Sequence, residues 1–218
     1  MLLKTSGLVI REKVLSNDNR MLTILTGEYG VIKAFIRTSR KMRSSLAAAI
    51  DLFSYSDFLI FFNKDQYCVD GAETNRIFYH LREDLEKTSL AAYMGELAET
   101  LVPQGEPARE YLSLMLNCLH LLETDQRTVD FIKPLFELRL LTMAGYMPDL
   151  VGCTCCGQYQ AEQFYFSHYT GKLLCANCCE QEKPQGYVPL TKDQLAAMRH
   201  IVFAQGNRVF RFKMSEAG

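Results

Sequence analysis

Eight cysteines occur in the 218-residue chain, and four of them have the spacing of a metal site. Cys153 and Cys156 form one C-x2-C pair, and Cys175 and Cys178 form a second, eighteen residues further on. Two pairs at this separation are the pattern of a four-thiolate zinc centre. A two-residue gap lets one tight turn aim both sulfurs at the same ion. Gly157 frees the backbone just after the first pair, where such a turn needs unusual dihedrals. With four thiolates no coordination position is left for water, so one zinc ion here is structural. Phe164–Phe166 and Lys172–Leu174 read as a short hairpin turning at Thr170-Gly171 between the pairs. The competing reading is two disulfides or idle thiols. Cys155 and Cys179 sit beside the pairs, and either could replace a neighbour as ligand. His168 reads as a surface histidine.

A second group of side chains is cationic. Lys33, Arg37, Arg40, Lys41 and Arg43 follow one another with no acid between them. Such a run can neutralise several phosphates and release counterions; as a bland alternative it is a solvated loop. Tyr29, Phe35, Phe53 and Tyr55 could offer stacking faces, although core packing is the expected role of each, and Phe35 is expected inside. Further along, Lys133 and Arg139 flank Phe136 and Leu140 on one predicted helix. An apolar groove edged by cations could receive an acidic peptide tail ending in a carboxylate; the alternative is solvated charge beside a core stripe. The four histidines, at 80, 120, 168 and 200, are scattered. No nucleophile elbow, phosphate loop or dinucleotide fingerprint is present, so no enzymatic activity is expected. Thiol redox chemistry would need a βαβ setting that the pattern lacks.

The elements that must position these groups follow from periodicity. Strands are expected over residues 2–15, 20–26, 31–36 and 52–62, with a fifth beginning at Tyr67. Gly27–Gly30 turns the second strand into the third, and a basic, polar segment to Ser45 follows. Five strands in about eighty residues fit a small closed barrel of the OB type; an SH3-like barrel has nearly the same pattern. Near Ile77 the period becomes helical. Helices are expected from a Thr88 or Ser89 cap to Leu101, over 108–123, over 129–144, and over 192–204 behind the capping box Thr191–Gln194. Pro134 should mark the first turn of the third helix or kink it. The expected class is thus α+β: an OB-fold nucleic-acid-binding domain at 1–80, then a helical domain at 81–218 with a zinc finger inserted at 153–178.

Charge divides the same way. The formal net charge is −1, yet residues 1–43 hold nine Lys/Arg against three Asp/Glu. A basic front and an acidic rear suggest modules with different partners. The N-terminus has no long apolar run, so no signal peptide is expected, and no apolar run in the sequence reaches membrane-spanning length. Eight cysteines in such a chain point to a reducing compartment.

Several segments, in this order, resemble the RecO recombination mediators. They are Thr5–Ile10, Thr26–Gly30 and the basic run to Leu46; then Leu140–Leu150 leading into Cys153–Gly157; then Phe166-Ser167 and Gly171–Cys175 with Cys178. The resemblance covers nearly the whole chain. It departs at Ala34–Ile36, where members often carry a glycine. The chain also stops sooner after its last helix than many members, so a terminal segment is expected to be missing. The resemblance implies a bacterial, cytoplasmic, nucleoid-associated repair protein. Such a protein binds single- and double-stranded DNA, anneals complementary strands and acts with RecR. It contacts the C-terminal tail of the single-strand-binding protein and helps load the recombinase. The reading of a different class is an RNA-binding or transcription-associated zinc-ribbon protein.

Overall fold

A computed structural model describes residues 2–15, 19–37, 44–63, 66–182 and 184–212. They form two compact units, residues 1–137 and 138–218.

The first unit is built on a barrel. Its strands are β1 (Leu2–Val14), β2 (Arg20–Thr26), β3 (Val31–Ile36), β4 (Ser54–Asn63) and β5 (Gln66–Ile77), closed in the order β1-β2-β3-β5-β4. All pairings are antiparallel except β3 with β5, where Ala34 faces Tyr67. This is the expected OB-type closure, which leaves no free sheet edge. β1 makes closure possible by serving two neighbours: Leu2–Leu8 pair with β4, and Gly7–Val14 pair with β2. The strand crosses over at Gly7, where a Cβ would lie 2.6 Å from Ile24 Cγ2. In β3, Ile32, Ala34 and Ile36 point into the barrel beside Leu22, Ile24, Phe58 and Ile60. Alternation puts Lys33 and Phe35 on the outer side, so Phe35 is half-buried there rather than inside.

A short helix not foreseen in the sequence, α1 (Ser44–Ala49), follows the basic segment. The fully buried Ser54 and Ser56 donate to the carbonyls of Ala48 and Ala49, both at 2.8 Å, so the helix end is satisfied inside the protein.

A 3-10 turn (Tyr79–Glu83) leads into α2 (Leu85–Leu101) and α3 (Arg109–Glu123). The cap of α2 is Asp84, whose carboxylate accepts from the N–H groups of Glu86 and Lys87. The expected caps, Thr88 and Ser89, instead donate their hydroxyls to the carbonyls of Leu81 and Leu85. The first turn escaped the periodicity because Leu85 is 82% exposed. α2 lies close on β1: a Cβ on Gly95 would approach the Ile10 carbonyl oxygen to 3.0 Å.

The β2–β3 turn is fastened by its main chain to the loop between α2 and α3. Gly105 N–H donates to the Tyr29 carbonyl at 3.0 Å, and Ala108 N–H to that of Gly27 at 2.9 Å. Gly30 takes a φ of +63° and bridges to Gln104.

α4 (Val129–Met143) spans the boundary between the units. The Thr128 hydroxyl accepts from Phe131 N–H at its start. Pro134 falls at the sixth helical position rather than in the first turn, which deprives the Asp130 carbonyl of its intrahelical donor.

In the second unit, β6 (Phe164–Ser167) and β7 (Lys172–Cys175) form the expected hairpin. β8 (Val188–Leu190) adds to the other edge of β6. α5 (Ala176–Glu182) and α6 (Lys192–Phe203) complete it, followed by a 3-10 turn at Gly206–Phe210. The capping box of α6 forms as expected, Thr191 with Gln194.

Gly30 gives the sharpest test of this construction. A Cβ there would sit 1.8 Å from the Pro103 oxygen. Gly30→Ala should destabilise the protein by at least about 3 kcal/mol, combining that clash with a left-handed penalty of roughly 1–2 kcal/mol. Gly105 is also left-handed, at φ +77°, but has no atom within 4 Å of such a Cβ. Gly105→Ala should therefore cost only about 1–2 kcal/mol. Urea midpoints of the two variants check the difference.

Candidate metal centre and nucleic-acid surface

Local structure brings the four paired cysteines together. After Cys153 the chain makes a tight turn: Gly157 N–H donates to the Cys153 carbonyl at 2.8 Å, and Cys153 N–H to that of Gln158 at 2.9 Å. Gly157 holds a φ of +75°, which a side chain would resist. Thr154 ties this knuckle to β7, its N–H and hydroxyl both donating to the Leu173 carbonyl. Cys175 ends β7 and Cys178 lies in the first turn of α5.

The sulfurs of Cys153, Cys156, Cys175 and Cys178 all lie within 4.8 Å of one another. Those of Cys156 and Cys175 are 3.8 Å apart. A tetrahedral zinc with Zn–S bonds of about 2.3 Å requires edges of about 3.8 Å, whereas a disulfide requires about 2.05 Å. The donor set and its spacing therefore fit a tetrahedral metal ion. Cys153, Cys175 and Cys178 are buried among Leu150, Phe164, Leu173 and Leu174, so the centre is part of the hydrophobic core.

The electrostatics ask for a cation. Burial opposes ionisation of Cys153, but the backbone N–H groups of Cys156, Cys175 and Cys155 outweigh it and bring the thiol down to about 6. Cys178 is pushed up, chiefly by its interaction with the Cys175 sulfur and then by burial. One thiolate forms readily; four together need positive charge among them.

The neighbouring candidates lie outside the group of four, although Cys155 also meets Cys178. Cys155 is exposed and its sulfur lies 3.2 Å from Glu182 Oε1. Cys179 is half-buried outside the cluster, and His168 is exposed with its ring against Tyr169.

The cationic group is placed less completely. Lys33 is exposed on the outer side of β3, its ammonium 2.8 Å from Glu99 Oε1 on α2. Glu99 also meets Arg11 at 3.3 Å. The Lys33 ammonium beside it, with Arg11 in support, holds the Glu99 carboxyl below its ordinary value against the opposing effect of burial. Arg11 thus joins Lys33 on one outer surface of the barrel. Sequence reading missed it because its partner is 88 residues away. Arg37 is exposed, while Arg40, Lys41 and Arg43 lie outside the described residues. Of the aromatic candidates, Phe53 is wholly buried, and Tyr29 and Tyr55 are half-buried.

On α4, Lys133 is exposed, with its ammonium 5.8 Å from the centre of the Tyr93 ring. Phe136 is 1% exposed and belongs to the core. Arg139 Nη1 donates to the carbonyls of Ile201 and Val202, which caps the C-terminal end of α6. No helix among the described residues is long and apolar enough to cross a membrane.

An OB-type barrel, a helical region and a four-thiolate knuckle pair together define a class of small modular proteins with a metal-binding insert. Comparison with known sequences specifies it. The family model "Recombination protein O N terminal" matches residues 1–78, and "Recombination protein O C terminal" matches residues 82–218. A DNA repair protein RecO of Acetivibrio thermocellus is 34% identical over 215 residues, covering 99% of this chain and 85% of the relative. One from Alkaliphilus metalliredigens is 36% identical over 178 residues, 82% of this chain and 72% of the relative. One from Dehalococcoides mccartyi is 29% identical over 214 residues, 97% and 83% of the two chains. The chain belongs to the RecO family of DNA repair proteins.

Because Cys153, Cys175 and Cys178 belong to the core of the second unit, losing one of them should destabilise it. Cys175→Ser should lower Tm by roughly 5–10 °C, about 2–3 kcal/mol for a chain of this size. Cys155→Ser, which removes only an exposed thiol, should shift it by about 1 °C or less. Elemental analysis should find one zinc per wild-type chain. Acidification should release it, since protonated thiols do not ligate.

Proposed function

We propose that this protein is a recombinational repair mediator. It binds single- and double-stranded DNA, anneals complementary strands and, together with RecR, helps load the recombinase onto strands coated by single-strand-binding protein. It acts by holding strands and partners and not by breaking covalent bonds, and it does so in the bacterial cytoplasm at the nucleoid. The observation that carries this reading is family membership over nearly the full chain, in a protein whose first unit is an OB-type barrel. The excess of cations in residues 1–43 supports it. Residues 1–80 serve as the nucleic-acid-binding domain, with Lys33, Arg37, Arg40, Lys41 and Arg43 on the phosphates. Residues 81–218 serve partners and carry one structural zinc on Cys153, Cys156, Cys175 and Cys178. The tail of the single-strand-binding protein is met along α4 by Lys133, Phe136 and Arg139, with Lys133 as the exposed cation.

Phosphate contacts of this kind carry little sequence information. Binding to single strands should be nearly sequence-independent, with a log–log salt slope of roughly −2 to −3.5 for three to five contacts. Replacing Arg37, Arg40 and Lys41 together by Ala should flatten that slope by about two units and slow annealing. Paired salt titrations, with circular dichroism to confirm folding, make the test. A folded triple mutant with unchanged slope and affinity would place the DNA site elsewhere, and a preference for RNA over DNA would favour the transcription-associated reading.

Lys133→Glu should weaken binding to the acidic tail peptide on the order of 10-fold by reversing a charge, while naked-DNA binding stays intact. Fluorescence anisotropy with labelled tail and labelled DNA reads both. Equal loss of the two, or loss of neither, would mean that the tail docks elsewhere.

A further inference from the structure

The second unit contains a cavity of about 540 Å³ that neither the metal centre nor the barrel explains. It is lined by the chain that follows Gly157 and by the start of α6. The volume is that of a small-ligand site, which typically runs from roughly 300 to 1,000 Å³.

Tyr159 is its most telling residue. It is a large aromatic, yet it is 56% exposed. The guanidinium of Arg199 lies 4.6 Å from the centre of its ring and 5.8 Å from that of Phe164. That guanidinium is fixed in place, with Nε donating to the Leu150 carbonyl at 2.8 Å and Nη2 to that of Val151 at 3.0 Å. A cation held this way keeps the ring oriented at no further cost in entropy when a ligand arrives.

The remaining walls sort into three kinds. Phe164 and Leu195, 5% and 6% exposed, give an apolar floor. Gln158 and Gln160 bring amides that both donate and accept. Lys192 is exposed at the first position of α6, where the positive end of a 12-residue helix adds to its own charge. Glu162 also lines the cavity, so it can accept from an amine but repels a second anion. The ligand that uses all of these is flat and aromatic, has a hydrogen-bonding edge and carries one anionic group. An aliphatic chain would leave the amides and Lys192 unused, and a bare anion would leave the aromatic ring unused.

We propose that this cavity takes a single nucleotide of single-stranded DNA: the base stacks on Tyr159, and Lys192 pairs with its phosphate. The proposal does not depend on the barrel binding DNA, since every residue invoked lies within 138–218.

The test uses the full chain and a fluorescent mononucleotide, 2-aminopurine deoxyriboside 5′-monophosphate, whose emission is quenched on stacking. Wild type should quench it saturably. Tyr159→Ala should weaken binding on the order of 10-fold, as loss of one stacked base does, while Tyr159→Phe should not. Lys192→Ala should weaken binding of the monophosphate but leave the nucleoside unchanged. This split remains decisive even if Tyr159→Ala fails to fold. Absence of saturable quenching by wild type, equal binding by a folded Tyr159→Ala, or equal effects of Lys192→Ala on nucleotide and nucleoside would each overturn the proposal. The Arg37/Arg40/Lys41 triple mutant should bind the mononucleotide normally. An unchanged salt slope in that mutant, with saturable mononucleotide binding by wild type, therefore speaks only against the barrel site; a flattened slope without mononucleotide binding by wild type speaks only against this cavity.

Discussion

Four sulfurs within 4.8 Å of one another are the constraint on which the second unit rests. Around them the regular structure is sparse: strands of four, four and three residues, and a helix of seven. Strands that short hold little apolar surface of their own. Three of the four cysteines are core residues, packed with Leu150, Phe164 and Leu173. The knuckles thus act as both cross-link and core, and the turn at Gly157, the Thr154 bonds to β7 and the placement of α5 are the means of aiming them. Four crowded thiols are electrostatically incompatible as thiolates without a cation among them, so a metal bound here would couple its capture to the folding of this unit.

The barrel is held by a different logic. Its closure depends on one strand long enough to pair on both sides and on a glycine where that strand crosses. Charge on the side of its outer surface that faces α2 is partly neutralised. Arg11 and Lys33 share the Glu99 carboxylate, so two cations there present a net of one. A strand of DNA approaching this surface meets a partly neutralised patch.

The sequence made some features plain because their signal is local. C-x2-C spacing, alternation in β3, the capping box at Thr191 and the helical stripe of α3 each involve residues within one or two turns of each other. Other features depended on partners far along the chain. The cap of α2 was missed because Asp84 precedes an exposed Leu85, and the apolar period begins only after it. Phe35 was expected inside, yet the register of β3 with β5 settles its side and puts Ala34 in the core. Phe136, read as the floor of a groove, is buried, and Arg139 is engaged with carbonyls sixty residues later. Nor could spacing show that Arg199 lies beneath Tyr159, because forty residues separate them. The grouping of Cys153, Cys156, Cys175 and Cys178, by contrast, is the one that the pair spacing already favoured over Cys155 and Cys179.

The fastening of the β2–β3 turn to the α2–α3 loop is made from main-chain atoms: the Tyr29 and Gly27 carbonyls, and the amides of Gly105 and Ala108. Every amino acid but proline supplies the same amide, and every one supplies the same carbonyl. Such a joint stores almost no information in side-chain identity. Residues 104 and 106 can drift through substitution, keep the joint and leave no trace of it in a comparison of sequences. Only Gly30, where a methyl group has no room, records that the two segments touch. A mutational scan of this region would thus return one intolerant position, Gly30, and a milder one at the left-handed Gly105 in an otherwise permissive stretch, and a reader without the structure would take the joint for an ordinary loop.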